Sequence, residues 1–396
     1  MVLHEEGATV HLPELLSEEE LDDSIVLAKL KGHHGHATLF NCYGSWTRDS
    51  DGSIVKARVS STLVALGCAR EEIGGEALAF RIPGSERWLD DECFQVSHGE
   101  GGDVSISLKA WERHEIPLSP DLMIDRTYTA AISSETSGVE SYSIERKMRY
   151  EIRSNSWLTL DEHWSLLWAL QRFFEFVTQS RLSYGSIKIY DHEADRADDS
   201  GASIHYVRPA SEASKTLNRS DFLIHAHEVR EQVNDLICGW MRLIKMDPAP
   251  FYQYFHAFDR RRQDRVLHFV WNVATVEELH KMRYGRRDGK RKVYLKDRLM
   301  EMVRRWKDAF NQPPQDAVLQ HIADSRHYHA HAAGDLRDRA AKGWLLLRYG
   351  DFLMALSNLE LLSLIGLEQH KVISLIRHNL WMREALDLTT YPGPDG

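Results

Sequence analysis

"GWLLLRYGDFLMALSNLELLSLIGL", residues 343–367, decides what kind of fold this chain can have. The stretch is long and apolar enough to suggest a bilayer span, yet Arg348, Asp351 and Glu360 interrupt it. Charges at that depth in lipid are costly, so the segment reads as a helix buried inside protein, and no membrane partner is expected. A helix apolar on every side needs neighbours on every side, and the flanking sequence supplies them. Residues 220–245 place Phe222, Val229, Val233, Leu236, Trp240 and Leu243 at helical spacing, and residues 263–284 repeat the pattern with Val266, Phe269, Val270, Val273, Val276 and Leu279. Leu295, Leu299, Met302, Trp306 and Phe310 continue it. Pro313 and Pro314 end that helix and open the next, 315–332. A long helix over 336–365 and the terminal "QHKVISLIRHNLWMREAL" complete an all-α bundle spanning 216–396.

Upstream the period changes. "TLFNCYGSW", "SIVKARVSSTLVALG" and "VSISLKAWE" have strand composition, and "SYSIERKMRYEIR" alternates Tyr142, Ile144, Met148, Tyr150 and Ile152 on one face. One helix is expected in "TLDEHWSLLWALQRFFEFVTQSR" (159–181), where Thr159 and Glu162 have capping-box spacing and Trp164, Leu167, Trp168, Leu170, Phe174 and Val177 form a stripe. "SIKIYD" and "SIHYVRP" read as a hairpin, and "RPASEASKTLN" (208–218) as the turn that closes the domain. The expected class is therefore α+β: a β-rich, sandwich- or barrel-like domain over 1–215 with one or two helices, then the bundle.

The net charge of −10 hides a division. Residues 1–215 hold 21 Lys+Arg against 36 Asp+Glu, whereas 216–396 hold 28 against 23. The second half is better suited to a polyanion. Nine of its basic residues fall within 281–298, among them Arg286, Arg287, Lys290, Arg291 and Lys292, which read either as a solvated loop or as an RNA contact. Cys42, Cys68, Cys93 and Cys238 are scattered without CxxC spacing, which argues against a thiolate zinc site and a disulfide framework. With no basic-then-apolar leader in "MVLHEEGATVHLPELLSEEE", the expected location is the cytoplasm.

The chemistry concentrates in "DSRHYHAHAAGD", residues 324–335. His327 and His331 have the four-residue spacing of a helical metal pair, with His329 on the opposite face, but no HExxH pattern or acidic partner completes a site. The "HHGH" run at 33–36 reads as an exposed turn. No metal site is expected at either place, and no cofactor is expected. A third reading uses Arg326 and His331. Histidine can exchange a proton with a ribose hydroxyl or leaving oxygen near neutral pH, and arginine offers planar donors to the charge growing on phosphorus. Five helical steps set the two about 140° apart, so they converge only near a helix end or across a two-fold interface.

"ADSRHYHAHA" near the end of an α-bundle resembles the R-x(4–6)-H motif of HEPN-domain ribonucleases, and the surroundings resemble the ApeA-like group of anti-phage HEPN proteins. "VLHFVWNVATVEELHKMRYG" is similar to that group's earlier helix with an E-x-x-H pair, matched by Glu277 and His280. The acidic β-rich half resembles the N-terminal domain fused to these modules. The resemblance implies a homodimeric, metal-independent endoribonuclease that leaves a 2′,3′-cyclic phosphate and a 5′-hydroxyl and acts in abortive infection. Arg326 and His331 take the places of the motif residues, Glu277 that of an acidic helper, with His280 in support. His327 stands where a small polar residue is usual and reads as a substitute donor or a solvent-facing side chain. Tyr328 reads as packed in the bundle. An acidic N-terminal domain would repel RNA, which fits a sensor of a phage-derived trigger better than a substrate-binding surface. Unstacked RNA such as a tRNA anticodon loop is the expected substrate class. A non-catalytic HEPN interaction or antitoxin module, and a histidine-dependent metal hydrolase, are the alternatives.

Overall fold

The computed structural model describes residues 2–4, 7–12, 25–29, 36–48, 54–66, 73–89, 94–98, 104–108, 114–136, 140–192, 195, 201–206, 217–261, 263–285, 293–331 and 333–388. The chain divides into two compact units, Met1–Phe176 with Ser180–Arg219, and Val177–Gln179 with Ser220–Gly396. The expected boundary at 215/216 lies outside the described residues.

The first unit is built on strands β1 (Val2–His4), β2 (Gly7–Leu12), β3 (Ile25–Lys29), β4 (His36–Arg48), β5 (Ile54–Leu66), β6 (Gly74–Phe80), β7 (Phe94–His98), β8 (Val104–Leu108), β9 (His114–Ser119), β10 (Leu122–Thr136), β11 (Glu140–Thr159), β12 (Ile187–Tyr190) and β13 (Ala202–Tyr206). Eleven of them form one antiparallel network, ordered β1-β2-β5-β13-β12-β6-β11-β10-β9, with β4 on the other side of β5 and β3 beyond it. β7 and β8 make a separate hairpin. The expected β12–β13 hairpin is present, with Ile187 opposite Ile204. On β11, Met148, Tyr150 and Ile152 are buried, as the alternation requires; the side chains of Tyr142 and Ile144 lie outside the described set.

Two helices serve this sheet, α1 (Ser85–Leu89) and α2 (Leu160–Thr178). The capping box at the start of α2 is reciprocal: the Thr159 amide donates to Glu162 Oε2 at 2.8 Å, and the Glu162 amide to Thr159 Oγ1 at 3.2 Å. These bonds hold the Glu162 carboxyl below the usual carboxylate range. Leu167, Leu170, Phe173, Phe174 and Val177 are fully buried, and Phe174 packs on Tyr150 at 5.5 Å between ring centres. Burial pushes the Tyr150 phenol up, and its hydroxyl is satisfied by Ser85 Oγ at 2.9 Å.

His163 gives this unit a pH dependence. Its Nε2 donates to the Gly75 carbonyl at 2.9 Å, while Nδ1 is buried with no hydrogen-bond partner. Burial therefore holds the imidazole below its ordinary value of 6.5. A folded value below the unfolded one contributes stability that is complete above 6.5 and is lost progressively as pH falls below 6.5 through the lower folded value. Thermal unfolding should show a lower midpoint at about pH 5.5 than at about pH 7.5. His163→Gln, whose amide can keep the Gly75 bond, should show a smaller difference; an equal difference in both proteins would remove His163 as the cause.

The second unit is helical: α3 (Val233–Met246), α4 (Ala249–Arg260), α5 (Arg265–Tyr284), α6 (Leu295–Arg305), α7 (Asp316–His331), α8 (Gly343–Leu364), α9 (Gln369–Ile376) and α10 (Leu380–Leu386). α8 is the quoted apolar stretch, and Tyr349 through Leu362 are buried on all sides of it. Its charges are tied to protein groups. Arg348 donates to the carbonyls of Glu384 and Asp387, Asp351 accepts from Arg261 Nε at 2.8 Å, and Glu360 accepts from Arg283 Nε at 3.2 Å and Trp306 Nε1 at 2.7 Å. No described helix is long and apolar enough to cross a membrane.

Several boundaries differ from expectation. Residues 219–221 and 226–232 are 3-10 turns, because Val229 leaves the helical region (φ −127°, ψ 21°) and breaks the helix expected from 220. The helix expected from 336 begins at Gly343, whose φ of 56° suits glycine and interrupts the earlier run. The terminal helix is split before Asn379, whose side chain caps α10 through the Met382 amide. Val266 is exposed rather than in the α5 stripe, since it sits in the first turn after the Asp264 cap. Gly350 lets α8 approach α5: a Cβ there would lie 2.4 Å from the His268 ring.

Candidate functional site

α7 carries the arginine–histidine segment to its C-terminal end. Leu319, Ile322 and Ser325 form its buried face, which leaves Arg326 half-buried and His327 and His331 exposed. The chain after the helix is fastened back onto it. The Ala341 amide donates to Ser325 Oγ at 2.8 Å, and His329 Nε2 donates to the Ala341 carbonyl at 2.9 Å. His329, on the face opposite His327 and His331, thus has a structural role, and its ring also meets Phe269 of α5 at 6.3 Å. Tyr328 is half-buried and packs edge-on against His329. These bonds fix the helix end whose last residue is His331.

Arg326 and His331 meet within one chain. Arg326 Nη1 donates to His331 Nε2 at 2.8 Å. A helical separation of five residues spans only about 7.5 Å along the axis, so a long arginine reaching past the helix end closes the 140° gap. Because a guanidinium can only donate, the imidazole Nε2 is the acceptor in this contact. On its other side Arg326 Nη2 lies 3.7 Å from Glu277 Oε2 of α5, a partly exposed pair that positions the guanidinium more than it stabilises the fold.

The expected supporting residues separate. His280 turns away from the pair: its Nε2 donates to Glu301 Oε2 at 2.9 Å, and its Nδ1 accepts from Arg298 Nη1 at 3.4 Å. Arg298 also donates to the Glu277 carbonyl at 3.3 Å, so His280 supports Glu277 from behind through α6. His327 is solvent-facing, with its ring 5.3 Å from that of His331. Among the described residues, no group of three or more His, Cys, Asp or Glu could hold a metal ion. Arg286, Arg287, Lys290, Arg291 and Lys292 lie outside the described residues, as do His33, His34 and Gly35 of the histidine run.

Beside the pair lies a cleft of about 550 Å³ between the start of α6 and α7, walled by Arg326, His327 and Glu277 on one side and by Tyr294, Lys296 and Arg298 on the other. That volume is in the range of small-molecule sites. Arg298 and Lys296 fall within the basic run singled out in the sequence; Tyr294 carried no signal of its own, because its place beside α7 exists only in three dimensions, and the same holds for Glu301 beside His280 of α5.

A family model described as ApeA N-terminal domain 1 matches residues 3–240, running through the whole first unit and into α3 of the second. No curated protein and no solved structure matches the chain.

Proposed function

This chain belongs to the ApeA family, and on that premise we propose that it is an RNA-cutting effector of anti-phage defence whose helical unit is a HEPN-type nuclease. The observation that carries the proposal is the 2.8 Å contact between Arg326 and His331 at an exposed, fastened helix end beside a cleft. A packing role would not need both side chains at the surface.

In this reading an RNA phosphate exchanges places with His331 on the guanidinium. Arg326 then presents two parallel donors to the phosphate oxygens, and the Nε2 lone pair of His331 is released. His331 takes the proton of the ribose 2′-hydroxyl, the 2′-oxygen forms a bond to phosphorus, and the bond from phosphorus to the 5′-oxygen breaks. The leaving oxygen takes a proton from an imidazolium, which balances the step and yields a 2′,3′-cyclic phosphate and a 5′-hydroxyl. Glu277 keeps Arg326 aimed at the cleft. A homodimer would place a second Arg326–His331 pair opposite the first, one imidazole serving as base and the other as acid. The −15 balance of 21 basic against 36 acidic residues over 1–215 suits a domain that senses a phage-derived trigger and restrains the nuclease, since it repels RNA.

Arginine and histidine supply both the charge and the proton transfer, so cleavage should persist in excess EDTA. The products should carry 5′-hydroxyl and cyclic phosphate ends. EDTA-sensitive cleavage restored by one divalent ion, or products with 5′-phosphate ends, would contradict this mechanism.

A further inference from the structure

The cleft between α6 and α7 contains more than a phosphate contact requires. Tyr294 stands on its rim with 69% of its surface exposed, the most among the described large hydrophobic side chains. Its backbone is fixed as the N-cap of α6, where its carbonyl accepts from the Arg298 amide at 3.2 Å. Besides Glu277, which is engaged with Arg326, the cleft holds two further carboxylates, Asp297 and Asp324. Gln320 Nε2 donates to Asp324 Oδ1 at 2.8 Å, which orients that carboxylate, and a carboxylate has about four acceptor sites, so Asp324 can accept more. Lys296 brings a positive charge to the same space, and Arg326 reaches into it from the cutting pair.

We propose that this cleft is the base-binding subsite of the nuclease: one unpaired nucleotide flanking the scissile phosphate stacks its base on Tyr294, and Asp297 and Asp324 select against uracil. The proposal rests on the reading of Arg326 and His331 as the cutting pair. A rigid aromatic face that is mostly exposed is what an unstacked base binds, and it accepts any base. Selection comes from the carboxylates. Cytosine, adenine and guanine each offer an exocyclic amino group to an acceptor. Uracil offers one ring N–H between two carbonyls, which a pair of carboxylates repels. Lys296 offsets the repulsion between the carboxylates and the backbone phosphate of the same nucleotide.

The test uses the full-length protein in the His331→Ala background, so that RNA is bound and not consumed. Binding of short, labelled single-stranded RNAs is followed by fluorescence polarisation, with each of the four bases placed at the positions flanking the cut. Tyr294→Ala should weaken binding by about 5- to 150-fold, and Tyr294→Phe should restore it. RNAs with uracil at the selected position should bind more weakly than the other three, and Asp324→Asn should narrow that gap. Equal binding by Tyr294→Ala and its parent, or no discrimination against uracil, overturns the subsite. If the wild-type protein cuts RNA and Tyr294→Ala cuts it equally well, the subsite falls while the nuclease reading stands. RNA bound with these preferences but never cut leaves the base-binding role and removes the cutting pair. Failure to bind any of the RNAs overturns the subsite outright.

Discussion

His331→Ala should cut RNA about 10²–10⁴-fold more slowly than the wild-type chain, the range for removal of a general base. Arg326→Ala should lose about 10²–10³-fold, as for loss of a donor to developing charge. The two losses should not multiply. Each side chain touches the other at 2.8 Å, and removing either one disables the same step. The double variant should therefore be about as slow as His331→Ala alone. Both positions are at least partly exposed, so the variants should melt within a few degrees of the wild type. Single-turnover cleavage together with thermal unfolding separates these effects. A slow variant that is also unfolded would say nothing for catalysis, whereas a folded variant at full speed would remove that residue from the mechanism. Arg326→Lys adds a sharper test. It keeps the charge and loses the planar fork, and should recover only a small part of the activity.

Glu360→Ala should destabilise the chain by about 3 kcal/mol. The side chain is 1% exposed, accepts from Arg283 and Trp306, and pairs with Arg305 at 3.6 Å. Truncation leaves the buried indole N–H without its acceptor and two guanidinium groups without their shared counter-charge. Arg283 and Arg305 are 22% and 26% exposed and can turn toward water, which holds the cost to the lower end of the range for a broken buried pair. Glu360→Gln should cost less, because the amide oxygen can still accept from Trp306. Urea unfolding of the three proteins gives the comparison. A Glu360→Ala variant as stable as wild type would mean that this cluster does not hold α6 to α8.

Glu360 also marks how far the sequence could be read. Its presence in an apolar run correctly implied burial inside protein, because three charges in one helix require protein partners and lipid offers none. The partners themselves come from α5 and α6 and have no signature in the chain's order. The capping box at Thr159 and Glu162 was legible for the opposite reason, since both partners lie within four residues. α4 was missed. Pro248 is its N-cap and Pro250 lies in its first turn, where proline suits a helix start, and Phe251, Tyr254 and Phe255 behind them have helical spacing and are buried. At the site, Arg326 and His331 were legible because one helix carries both. Glu277 was placed beside them only by a resemblance, and it does approach Arg326. His280 was grouped with them by the same resemblance, yet its ring belongs to Glu301 and Arg298. Tyr294, Lys296 and Asp324 share a cleft through packing of α6 on α7, which no spacing along the chain records.

The most direct test is sequencing of RNA 5′ ends from cells that produce either the wild-type chain or His331→Ala at matched levels. New 5′-hydroxyl ends at defined unpaired positions with the wild type, and none with the variant, is the result expected of an arginine–histidine cutting pair. The same new ends in both, or in neither while the wild type still protects against phage, would contradict it.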